Sequence, residues 1–194
     1  MKEPQKHLKL GMRSIKTAIA IFVCILLYEI MHSISLNFID NEYALVKAVS
    51  IFISRTDPVF ACIASIIVMQ NTIEDSWERG KSRIIGTFLG GIIGLITLYA
   101  DMAIYNREFT IFMVPMGVLF VIWFCNIIGK PNAISFAAIT LTIIMLAVDK
   151  YNYPAYLYAL HRTVDTAIGV LIAMVVNLSL KKPQSIEQEG VNDD

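Results

Sequence analysis

The sequence predicts an all-α fold, a polytopic membrane bundle of six transmembrane helices, on three observations. Hydrophobic residues make up 56% of the 194 and charged residues only 16%, giving a mean hydropathy of +0.62. Soluble domains carry roughly 25% charged residues. The apolar residues gather in unbroken runs, and a bilayer needs runs of roughly 17–25 residues. Basic residues favour alternate connections between those runs, as the positive-inside rule requires. The 16 Lys+Arg balance the 16 Asp+Glu, which denies the basic excess that nucleic-acid binding needs. Disorder requires low hydrophobicity and high net charge, and a β-barrel requires alternating segments of about ten residues. None of these patterns is present.

The first span runs from Ile15 to Ile34, with Glu29 and His32 near its far end. Its length and the lack of a small-residue cleavage site argue against a signal peptide. The second runs from Ser54 to Ile73, after a largely apolar amphipathic or re-entrant approach over Tyr43–Ser54. Arg83–Ala103, Phe109–Ile128 and Ala133–Val148 follow, and a sixth span runs from Pro154 to Leu180. Turn residues separate them, among them Gly129-Lys130-Pro131-Asn132 and Asn152-Tyr153-Pro154. Residues 1–182 form one transmembrane domain, and the polar stretch 183–194 is expected to be a disordered cytoplasmic tail.

With both termini cytoplasmic, that side receives Lys2, Lys6, Lys9, Arg13, Lys16, Arg79, Lys81, Arg83, Lys130, Lys181 and Lys182. The outside receives only Lys47, Arg107 and Lys150. Arg55 and Arg162 fall at or within the spans. Cys24, Cys62 and Cys125 lie in apolar runs without C-x-x-C spacing, where a free thiol acts as a small hydrophobe. His7, His32 and His161 lack metal-ligand spacing, and no phosphate loop or nucleophile elbow occurs. The expectation is therefore no cofactor, no metal and no enzyme.

Two stretches echo each other. Arg83-Ile-Ile-Gly86-Thr87-Phe-Leu-Gly90 and Arg162-Thr-Val-Asp165-Thr166-Ala-Ile-Gly169 both read R-x-x-[GD]-T-x-x-G. Upstream, Phe60-Ala-Cys-Ile63 is matched by Phe136-Ala-Ala-Ile139. Three helices per half is an odd number, so such halves lie in opposite orientations, the 3+3 inverted repeat of many transporters. Gly86, Gly90 and Gly94 form a tandem G-x-x-x-G widened by Gly91. Small residues let helix backbones approach in lipid, which makes the third helix central, packed on a neighbour or on its copy in a second subunit. Gly169 belongs to the same packing class.

Ionisable residues inside a membrane are costly and mark function. Arg162 and Asp165 share a helix face, with Thr166 beside them. Arg55 and Asp57 precede Pro58, Glu29 and His32 end the first helix, and Arg83 lies opposite. Guanidinium stays charged and presents a planar fork suited to a carboxylate, so Arg162, Asp165, Thr166, Arg55, Asp57 and Arg83 form a candidate anion pathway. Asp165, Asp57, Glu29 and His32 are candidates for carrying a coupling proton. The plain alternatives are a static Arg162–Asp165 ion pair and an Arg55 that merely reaches the interface.

The stretch Ser54–Gly94, with SRTDPVFACIASIIVMQ and then Gly80, Arg83, Ile84, Ile85, Gly86, Thr87, Gly90, Gly91 and Gly94, resembles the fusaric acid resistance-like, or aromatic acid exporter, family. The Arg162-x-x-Asp165-Thr166-x-x-Gly169 element is similar to that family's sixth-helix signature. The plant aluminium-activated malate transporters look like distant relatives. The resemblance implies a plasma-membrane exporter of small organic anions, aromatic carboxylates above all, working as a homodimer and driven by protons. A passive anion channel and a non-transporting assembly or regulatory subunit are the alternatives.

Overall fold

A computed structural model describes residues 11–38, 43–54, 56–105, 107–147 and 154–180. Arg55 and the tail from residue 181 lie outside the described residues, as do the first ten. Among those described there are helices and no strands: α1 (Met12–Phe38), α2 (Ala44–Ser54), α3 (Pro58–Val68), α4 (Ile73–Tyr105), α5 (Thr110–Ile127), a 3-10 turn (Pro131–Ala133) running into α6 (Ile134–Ala147), and α7 (Ala155–Ser179). The chain is an all-α polytopic membrane bundle.

Four helices, α1, α4, α5 and α7, are long and apolar enough to cross a bilayer. The approach expected over Tyr43–Ser54 is the helix α2, and the span expected over Ser54–Ile73 is the shorter α3, the two forming a pair bent by 66°. The break has a local cause. Asp57 caps α3 by accepting a 2.9 Å hydrogen bond from the Val59 amide, and Pro58 occupies the first helical position. Proline is tolerated there because that N–H has no intrahelical partner. The helix ends at Val68, five residues short of the expected limit. The fifth span is also short, since Pro131–Ala147 is apolar but below spanning length by itself. Its 14-residue α6 rises about 21 Å against a hydrocarbon core of about 30 Å.

The helix α4 begins ten residues before Arg83, at Ile73, with Glu74 and Asp75 in its first turn. Acidic side chains suit that end of the helix dipole, and the apolar run marks only the part expected in lipid. The turn after α5 closes with Gly129 at φ +67°. The Gly129 amide donates to the Asn126 carbonyl and the Lys130 amide to that of Cys125, a Schellman-type ending that needs glycine's left-handed conformation.

The central helices are α4 and α7. The former packs most extensively on α6 and the latter on α3, and the two pack on each other. Glycine sets these approaches. A Cβ on Gly90 would run into the backbone of Ala137, and one on Gly169 into the backbone of Ala61. At Gly86 it would meet the Ala133 carbonyl oxygen at 2.6 Å, and at Gly94 the Leu141 Cα at 3.2 Å. Gly91 differs, having only Ala159 Cβ at 3.9 Å. The glycine strip of α4 thus serves α6 of the same chain.

A polar network ties one end of the bundle. Lys16 Nζ donates to Asn177 Oδ1 at 2.8 Å, and Asn177 Nδ2 donates to Ser76 Oγ at 2.8 Å. Arg13 Nε donates to the Met69 carbonyl at 2.9 Å. The starts of α1 and α4 and the ends of α3 and α7 therefore meet. At the opposite end, Arg107 Nη2 donates to the Met145 carbonyl at 2.9 Å, and Thr110 Oγ1 donates to Asp101 Oδ2 at 2.6 Å.

Candidate functional site

The two echoed motifs pack crosswise. On α4, Arg83 lies under Phe136 of α6, with Cζ 4.9 Å from the ring centroid, while Gly90 abuts Ala137. On α7, Arg162 lies under Phe60 of α3, with Cζ 2.9 Å from the ring centroid, while Gly169 abuts Ala61. Each R-x-x-[GD]-T-x-x-G stretch therefore sits on the Phe-Ala stretch of the other half.

Both arginines are buried, at 5% and 4% exposure. Among the described residues, Arg83 Nε and Arg162 Nε and Nη1 have no hydrogen-bond partner. Arg162 also faces the Tyr158 ring at 4.5 Å. A desolvated cation over a ring gains about 2 kcal/mol, whereas burying an ion costs several. The rings therefore leave each guanidinium short of compensation, and a carboxylate is the group that would complete it.

Asp165 is 1% exposed and accepts a 2.7 Å hydrogen bond from Tyr28 Oη. No ion pair joins it to Arg162 among the described residues. The static Arg162–Asp165 pair considered as the plain alternative is replaced by Tyr28–Asp165 on one side and Arg162 between Phe60 and Tyr158 on the other. Tyr28 comes from α1, so this cluster joins α1, α3 and α7. Nearby, His161 stacks on Phe52 of α2, with centroids 4.0 Å apart. Thr166 is buried beside Asp165.

On α4, Gly86 stands at the motif position where α7 has Asp165. Thr87, one turn below Arg83, is buried and its hydroxyl has no partner. Of the other expected residues, Asp57 is near Asp165 but is engaged in capping α3. Glu29 and His32 are exposed, on the same helix as Tyr28. Gly86, Gly90, Gly94 and Gly169 pack helices, as expected. Tyr28, Tyr158, Phe52 and His161 were not singled out by the sequence reading for this site. Phe60 and Phe136 were visible as part of the echo, without a role.

The sequence matches the family described as fusaric acid resistance protein-like over residues 43–176. The chain belongs to that family. Among curated proteins, this family member is 29% identical over 113 residues to the p-hydroxybenzoic acid efflux pump subunit AaeB of Escherichia fergusonii. It is 30% identical over 113 residues to the AaeB of Escherichia coli O9:H4. Each match covers 57% of this chain and 17% of the relative, so the chain spans about a sixth of the length of those relatives. The relatives are efflux pump subunits rather than enzymes. No solved structure matches the chain. A fusaric acid resistance-like protein with several apolar helices is a multi-pass membrane protein.

Proposed function

We propose that this chain exports small organic anions, aromatic carboxylates foremost, with Arg83 and Arg162 receiving the carboxylate in turn. The observation that carries the reading is the pair of buried guanidinium groups, each capped by an aromatic ring and, among the described residues, neither paired with a carboxylate. An anion with a ring meets both needs, its carboxylate on the guanidinium and its ring against Phe60 or Phe136. The names of the AaeB relatives point to the same substrate class. In this proposal all six segments cross the inner membrane, both termini are cytoplasmic, and the first three and last three spans form two inverted halves. Asp165, held by Tyr28, is the proton carrier, ahead of Asp57, Glu29 and His32. The protein acts as a homodimer, which the mass of the detergent-solubilised protein tests.

A second reading is favoured by the length of the relatives: the chain is one membrane subunit of a larger pump, without flux alone. Proteoliposomes loaded with radiolabelled p-hydroxybenzoate separate the cases. An exporter gives efflux that follows an imposed pH gradient and is lost in Arg162→Ala, while the variant still inserts. A channel gives flux that follows membrane potential alone. An unaltered rate in Arg162→Ala overturns the arginine's role, and no wild-type flux favours the subunit reading.

A further inference from the structure

We propose that the cavity between the start of α4 and the start of α6 is the loading site for the aromatic anion, with Phe136 as the residue that selects for an aromatic ring. This rests on the export reading and adds to it a place and a selecting residue. The cavity holds about 650 Å³, ample for a single-ring carboxylate. Its lining includes Arg79 and Ser82 of α4 and Ser135 and Phe136 of α6. Phe136 is half-buried, and it is the same ring that covers the Arg83 guanidinium. The cavity and the buried cation are therefore separated by one side chain.

The spacing along α4 makes a ladder. Exposed Arg79 and buried Arg83 are one turn apart, about 6 Å of rise. Thr87 lies one turn deeper and, like Arg83 Nε, has no partner for its side-chain polar atom. A carboxylate moving from Arg79 to Arg83 passes Phe136 and ends where two buried donors lack acceptors. Exposed Asp75 and Glu78 also line the cavity, so its charge alone does not trap an anion. Retention falls to Arg83, and choice of ligand to the ring beside it. The matching position on α7 already has Asp165 near its arginine. The α4 cluster is thus the one that accepts an anion without displacing a resident carboxylate.

The test is protection of a thiol placed in the cavity. Full-length Ser82→Cys in nanodiscs is treated with a charged methanethiosulfonate, and labelling is read by mass spectrometry at residue 82, with native Cys24 and Cys125 as internal references. The probes are benzoate and cyclohexanecarboxylate, which share a charge and differ in aromaticity. Benzoate is expected to protect at a concentration about 2- to 10-fold lower than its saturated counterpart, the range of an aromatic pair. Adding Phe136→Leu, which keeps an apolar side chain against α4, should bring the two probes together. Absence of protection by benzoate overturns the loading site, and so does a preference that survives Phe136→Leu. Wild-type proteoliposome flux of benzoate separates the two proposals. Flux without protection removes this site and leaves export standing, whereas protection without flux removes export and leaves the site.

Discussion

Replacing Gly90 or Gly169 with alanine tests the crosswise packing that positions both arginines. In an isolated helix each change would stabilise by about 1 kcal/mol, because glycine is the poorer helix former. In the bundle the added Cβ meets backbone rather than a movable side-chain tip: Ala137 in one case, Ala61 in the other. Overpacking costs about 1–3 kcal/mol, and a backbone obstacle places these sites at the upper end, so each variant should lose a net 1–2 kcal/mol. Gly91→Ala is the matched control, since its Cβ finds Ala159 Cβ at an ordinary 3.9 Å, and it should keep the propensity gain. Thermal unfolding of the purified protein in detergent reads the three against wild type. At about 2–4 °C per kcal/mol, Gly90→Ala and Gly169→Ala should each melt about 2–8 °C lower, and Gly91→Ala at or above wild type. Equal destabilisation at all three positions, or a gain at Gly90, would refute the close approach of α4 to α6.

Two further predictions concern polar contacts. Tyr28→Phe removes the donor to Asp165 and should cost about 1–3 kcal/mol, the penalty for a buried acceptor left unsatisfied. The same variant should alter the pH dependence of flux, read in proteoliposomes across a series of imposed gradients, and an unchanged profile would remove Asp165 from coupling. Asn177→Ala strips Lys16 Nζ of its acceptor and Ser76 of its donor. It should destabilise by about 2–3 kcal/mol, and Lys16→Met in that background should recover part of the loss, measured by the same melting assay.

Much of the bundle was legible because lipid imposes long apolar runs, and the echo between its halves was legible because its spacing recurs, though which stretch packs on which was not. Arg83…Gly90 and Arg162…Gly169 repeat a spacing, as do Phe60-Ala61 and Phe136-Ala137. What stayed hidden was partnership across distance in the chain. Tyr28 lies 137 residues from Asp165, and nothing in the first helix marks that hydroxyl apart from other aromatic positions. Arg162 and Asp165 are three apart, which suggests a pair, yet neighbours on a helix face need not join when rings from another helix take the cation. The α2–α3 break was written in Asp57-Pro58, a capping residue before a first-turn proline. The sequence reading accordingly set the approach over Tyr43–Ser54 apart from the span after it, though it began that span at Ser54 rather than at Pro58. The beginning of α4 was misplaced for the converse reason: Ile73–Ser82 is polar enough to end a hydrophobic run without ending a helix.

The account stands most directly on whether the two buried guanidinium groups bind a carboxylate. Equilibrium binding of benzoate to the protein in nanodiscs, compared among wild type, Arg83→Gln, Arg162→Gln and the double variant, measures this. A hydrogen bond to a charged group contributes about 1.5–3 kcal/mol, so each single variant should weaken binding at its own site by about 10- to 150-fold and leave the other site's affinity unchanged, and the double variant should show no saturable binding. Wild-type affinity in the double variant would contradict the account, because the anion would then be held by groups other than Arg83 and Arg162.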